Sequence, residues 1–152
     1  MLALIDVLLA NLDEAYDRKG WHGPTLRGSL RGLTAEEVLW RPAPRRHNIW
    51  ELALHCAYWK YAVRRQLTEE KRGSFAVKGT NWFKSPEHGD EKEWRAVLRL
   101  LDDEHRRLCS AMESLPRRAI EDRKCAWRMY GIAGHDLYHT GQIQLIKRLQ
   151  RS

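Results

Sequence analysis

Apolar residues recur along most of this chain at spacings of three and four, the period of a helix that buries one face. The first such stretch runs from Leu2 to about Lys19 and is expected to end before Gly20, with Gly23-Pro24 just beyond as a stop. A second opens at Asn48, with Glu51 three positions on in a capping-box-like spacing, and continues to about Thr68. A third spans about Asp90 to Leu115 and stops at Pro116, with Trp94, Val97, Leu98, Leu101, Leu108, Met112 and Leu115 at helical spacing. A fourth runs from about Lys124 to Leu149. Between the first two, Thr25 to Arg46 is rich in Gly, Pro and Arg and carries one short helix, capped by Thr34 with acidic residues in its first turn. Arg72 to Gly89 reads as a long irregular crossover with an embedded Asn81-Trp82-Phe83. No segment sustains period-two alternation, so strands are not expected. The pattern predicts an all-α fold, a four-helix bundle with long crossover connections.

Composition narrows this picture. A chain of 152 residues is expected to form a single helical domain, 1–152, with a core that needs no disulfide staples. Cys56, Cys109 and Cys125 are odd in number and scattered, which fits a reducing cytoplasm. No apolar run approaches the ~20 residues of a membrane span. The opening Met1 to Ala10 carries Asp6 inside its apolar stretch and reads as a first helix, not a signal peptide. The net charge of +7 invites a nucleic-acid reading, but the basic residues are dispersed pairs such as Arg45-Arg46 and Arg64-Arg65. No nucleic-acid-binding signature accompanies them, so nucleic acid is not the expected partner.

The chemistry lies in the histidines. His135 and His139 are one helical turn apart and point the same way from the fourth helix. His55 lies on the same face of the second helix as Leu52, Trp59, Ala62, Val63 and Gln66. His135 and His139 share their face with Ile132, Gln142, Ile143 and Ile146. All three therefore project inward, where an uncompensated polar group costs about 1–3 kcal/mol. One metal ion would satisfy all three and keep open coordination positions. The competing reading makes each a hydrogen-bonded core histidine. His105, on its own helix's apolar face with no i±4 histidine partner, could be an extra ligand, an acid/base group near the cavity or a structural residue, the last being the expected role. His22, His47 and His88 fall in connections, where solvated side chains are the default; His47 could also reach a site rim. Asp136 and Cys56 point away from the neighbouring histidines and are read as solvated and packed, respectively. Glu51 could orient His55, but capping is the simpler role. There is no H-E-x-x-H, no G-x-S-x-G and no phosphate-binding glycine-rich loop.

The segment from Asn48 to His55, the long crossover, and the run Gly134-His135-Asp136-Leu137-Tyr138-His139-Thr140-Gly141-Gln142-Ile143-Gln144-Leu145 carry a resemblance. Over essentially its whole length the chain resembles the DinB/YfiT-like superfamily of bacterial metal-binding four-helix bundles. The resemblance implies that His55, His135 and His139 ligate one divalent ion, typically nickel or zinc, with water completing the shell. It also implies one of two activities on a small molecule. The first is metal-dependent hydrolysis. The second is S-transfer from a low-molecular-weight thiol such as bacillithiol, mycothiol or glutathione.

A divalent ion would lower the pKa of a bound water or thiol, which suits either chemistry. Trp50, Tyr58, Trp59, Trp127 and Tyr138 are candidate pocket walls. The fourth helix carries a second apolar stripe through Trp127, Gly134, Tyr138, Gly141, Leu145 and Leu149, covered either by neighbours in the same bundle or by a second copy. Interior glycines cost about 1 kcal/mol each in helix propensity, so a close helix approach, and a homodimer, are expected there. Two other readings stay open: a metal-binding or sensing module without turnover, and a basic interaction protein whose histidines are structural.

Overall fold

The computed structural model describes residues 3–152; Met1 and Leu2, where the first helix was expected to begin, lie outside the described residues. Among the described residues every regular element is helical: α1 (Leu4–Tyr16), α2 (Leu26–Leu30), α3 (Ala35–Leu39), α4 (Ile49–Thr68), α5 (Glu91–Glu113), α6 (Arg117–Ile120) and α7 (Arg123–Leu149). The chain is all-α, as its periodicity predicts. No helix among the described residues is long and apolar enough to cross a membrane.

Caps set the boundaries. Asn48 accepts from the Glu51 N–H at 2.9 Å, Asp90 and Glu93 bond reciprocally, and so do Thr34 and Glu37. The α4 box is only half built, because the Glu51 carboxylate is engaged elsewhere. Helix α1 stops at Tyr16, short of Lys19, since the Asp17 and Arg18 N–H groups both close back on the Asp13 carbonyl. Two short helices have no counterpart in the periodicity reading. Thr25 caps α2 by accepting from the Gly28 N–H at 3.1 Å, and α6 starts just after Pro116. Both are too short for a period to declare itself.

The long helices bury two apolar clusters. One contains Leu52, Ala53 and Cys56 of α4, Trp94, Val97 and Leu101 of α5, and Ile143 and Ile146 of α7. The other contains Val63 and Leu67 of α4, Leu108 and Met112 of α5, Met129 and Ile132 of α7, and Leu8 and Leu12 of α1. The order of these residues shows that α4 and α5 run in the same direction and α7 opposes both. Parallel neighbours cannot be joined by a tight turn, which explains the long crossover between Glu69 and Asp90. Between the clusters lies a polar layer: His55 and Lys60 on α4, Glu104 and His105 on α5, His135, Asp136, His139 and Thr140 on α7.

The second stripe of α7 is not covered among the described residues. Trp127, Tyr130, Tyr138, Leu145 and Leu149 are exposed, and a Cβ built at Gly131, Gly134 or Gly141 meets nothing within 4 Å. The expected close helix approach at these glycines is therefore absent among the described residues. Gly131→Ala should gain up to about 1 kcal/mol of helix propensity. That corresponds to a rise in Tm of roughly 2–4 °C, read by circular dichroism at low protein concentration. A fall in Tm would mean that something does press on this face.

Candidate metal centre

Helix α4 delivers His55 and α7 delivers His135 and His139, and the three rings meet where the two antiparallel helices cross the polar layer. His55 and His139 are buried and His135 is half-buried. The Nε2 atom of His135 lies 3.1 Å from the Nε2 atoms of both His55 and His139. Three ligating atoms, one per ring, fall within 4.8 Å of one another.

Their hydrogen bonds fix which nitrogen is bare. A carbonyl can only accept, so His55 Nδ1–H donates to the Asn81 carbonyl at 2.7 Å and its Nε2 carries the lone pair. His139 Nδ1–H donates to Gln142 Oε1 at 2.6 Å, while the Gln142 amide nitrogen faces the Tyr138 hydroxyl at 3.4 Å. His139 Nε2 is therefore also bare. His135 could carry a proton on Nε2, but that proton would serve one neighbour and leave lone pairs opposed at the other. Its buried Nδ1 has no partner among the described residues. A single cation satisfies all three Nε2 atoms at once. Imidazole nitrogens about 2.0–2.1 Å from one ion stand about 3 Å apart, the spacing of the two pairs that His135 makes here. The buried triad could hold a metal ion.

Electrostatics fit that use. Burial lowers the His55 imidazole to about 4, partly opposed by the Asn81 carbonyl, with His139 and His47 lowering it further. Burial and the two neighbouring rings lower His135 to about 3. Burial also lowers His139, against the pull of Gln142. The rings are neutral at pH 7, so no proton must leave before a metal arrives.

The crossover closes one side of the site. Asn81 takes a left-handed backbone conformation (φ 63°), which asparagine tolerates, and this turns its carbonyl to His55 while its side chain accepts from Trp59 Nε1–H at 2.9 Å. Trp82 stacks on His55 with centroids 3.8 Å apart, and His47 stacks on the other face of Trp82 at 3.7 Å. His47 thus belongs to the rim of the site. Glu51 does not reach His55. Its carboxylate takes a bidentate grip from Arg41 at 2.8 and 3.0 Å, His47 Nδ1–H at 2.8 Å and the Ser85 N–H at 3.3 Å. Burial alone would raise this carboxyl, yet those bonds outweigh it and hold it near 2.

The aromatic residues expected at the pocket separate. Trp59 flanks the site, its ring 6.3 Å from His55 and 6.1 Å from His135, whereas Tyr58 packs on Phe75 and Phe83. Tyr138 presents its ring edge-on to His139 at 5.0 Å and faces solvent. Trp50 is a core residue packed on Trp94, and Trp127 is exposed two turns of α7 before His135. Asn81 and Trp82 stand out in the sequence only as part of the crossover and not as site residues, because loop residues carry no period to aim them.

Asp136 corrects the expectation of a solvated side chain. It is fully buried and accepts from Lys60 Nζ, itself fully buried, while its Oδ1 has no partner among the described residues. Lys60 also faces His105 Nδ1 at 3.3 Å, and His105 Nε2–H donates to Asp13 Oδ1 at 3.3 Å. Asp13, His105 and Cys109 lie close enough to suggest a second metal group. However, both His105 nitrogens are taken, and burial pushes the Cys109 thiol up to about 12. His105 is the structural histidine that its sequence context predicts.

Comparison with curated proteins and with solved structures finds no match. The sequence family described as the DinB superfamily matches residues 20–143, which span the whole triad and most of the chain. With that match and the triad together, the chain belongs to the DinB superfamily.

Proposed function

We propose that His55, His135 and His139 hold one divalent ion, nickel or zinc, within a four-helix-bundle domain spanning 1–152. On this reading the protein is a cytoplasmic metalloenzyme acting on a small molecule, as a hydrolase or as a thiol S-transferase. The observation that carries the reading is the pair of 3.1 Å contacts between Nε2 atoms, two of which must be bare. Three protein ligands leave coordination positions for a water or a thiol, whose pKa a divalent ion lowers. The chain's own part is to hold the rings in register through Asn81 and Gln142, and to wall the site with Trp59 and Trp82. The uncovered stripe of α7 supports a homodimer as part of the same reading.

The test is metal content by elemental mass spectrometry on untagged protein after incubation with zinc or nickel. About one equivalent is expected in the parent and little in His55→Ala. Gln142→Leu should fold normally and bind zinc about 10–100-fold more weakly, measured by competition with a chromophoric chelator, because the His139 ring loses its orienting partner. A parent that takes up neither metal would leave the histidines as core residues and remove the enzyme reading.

A further inference from the structure

Beside the histidine centre, on the far side of Trp59, lies a cavity of about 550 Å³. Helix α4 forms one wall, with Tyr58, Trp59, Ala62, Arg65 and Gln66 on a single helical face. The crossover from Arg72 to Thr80 forms the other, bringing Phe75, Val77 and Lys78 opposite. The lining contains three cations, Arg65, Arg72 and Lys78, and no Asp or Glu. None of the three makes an ion pair among the described residues. Tyr61 adds a donor. Its oxygen accepts the Gly73 and Ser74 N–H groups at 3.1 and 3.3 Å, which pins the crossover to α4 and leaves the hydroxyl proton to give away.

We propose that this pocket binds a small organic anion, an aromatic or apolar body carrying a carboxylate or phosphate group, beside the histidine centre. The site is separate from the histidine centre and goes beyond the metal-centre reading. Unpaired guanidinium groups favour planar, multiply accepting anions, and the aromatic walls favour an apolar body. Three like charges in one aromatic-walled cavity repel one another until an anion arrives. The pocket also shares a wall with the centre. The Trp59 indole donates to Asn81, and the Asn81 carbonyl receives the His55 Nδ1–H, so a ligand seated against Trp59 stands next to the group that orients a metal-ligating ring.

A matched series of probes tests this by isothermal titration calorimetry on untagged, zinc-incubated protein: 1-naphthylacetate, 1-naphthylmethylphosphonate and neutral 1-naphthaleneethanol. At least one anion should bind about tenfold more tightly than the alcohol, and the tighter anion identifies the head group. Arg65→Gln/Arg72→Gln should lose that preference while its zinc content stays at the parent level. Failure of both anions to bind, equal affinity of both anions and the alcohol, or an unchanged preference in the double variant would overturn the proposal. The two readings fail separately. Zinc-free protein that still discriminates the probes would remove the metal centre alone, and zinc-loaded protein that does not would remove the pocket alone.

Discussion

Lys60→Met is expected to destabilise the metal-free protein by about 3–5 kcal/mol, the usual cost of leaving one partner of a buried ion pair uncompensated. Lys60 and Asp136 are both fully buried, and no solvent reaches the pair to take over the missing charge. Burial pushes the Asp136 carboxyl up and the Lys60 ammonium pulls it back, so removing Lys60 leaves the effect of burial unopposed. His105 would also lose the donor at its Nδ1. The double variant Lys60→Met/Asp136→Leu should recover most of the loss, since replacing a buried pair with apolar groups of similar size is often neutral. Urea unfolding of the parent, both single variants and the double variant in the presence of a chelator gives the cycle. A single variant within about 1 kcal/mol of the parent would show that the pair carries no such load.

Acid should weaken the metal-free protein from about pH 6.5 downward. His55 is held near 4, and His105 and His135 near 3, in each case chiefly by burial; His139 is lowered as well. An unfolded histidine titrates near 6.5. Below that pH the unfolded chain binds protons that the folded chain refuses, so stability falls as pH falls. The contribution of these rings is complete above about pH 6.5 and is lost progressively toward pH 4 and 3. The loss by pH 5 is roughly 2 kcal/mol for each independently titrating ring. Comparing urea midpoints at pH 7.5 and 5.0 checks this, and a flat profile would contradict the burial of the rings. Zinc in excess should raise stability at pH 7.5 and lose its effect as the rings protonate.

Local sequence determined a great deal. Asn48, Thr34 and Asp90 cap the helices that follow them because each side chain reaches a backbone N–H within its own turn. The i, i+4 spacing of His135 and His139 fixes their common direction for the same reason: both are properties of one helix axis. The inward face of His55 was equally legible, and with it the triad. His105 as a satisfied core residue followed from its solitary place on an apolar face.

What the sequence could not determine depends on more than one axis. A helical period says which way Asp136 points from α7, but not that α1, α2 and α4 enclose so wide an arc of that helix that the carboxylate meets Lys60. It gave no aim to the crossover, whose residues lack a period; only the fold brings the Asn81 carbonyl to His55, Trp82 between His47 and His55, and Arg72 and Lys78 opposite Arg65. Sequence alone therefore named the three histidines that could hold a metal ion, because a helix repeats its geometry every turn. The tertiary structure alone decided what surrounds them, because the packing of helices and the path of a loop are set by contacts between residues far apart in the chain.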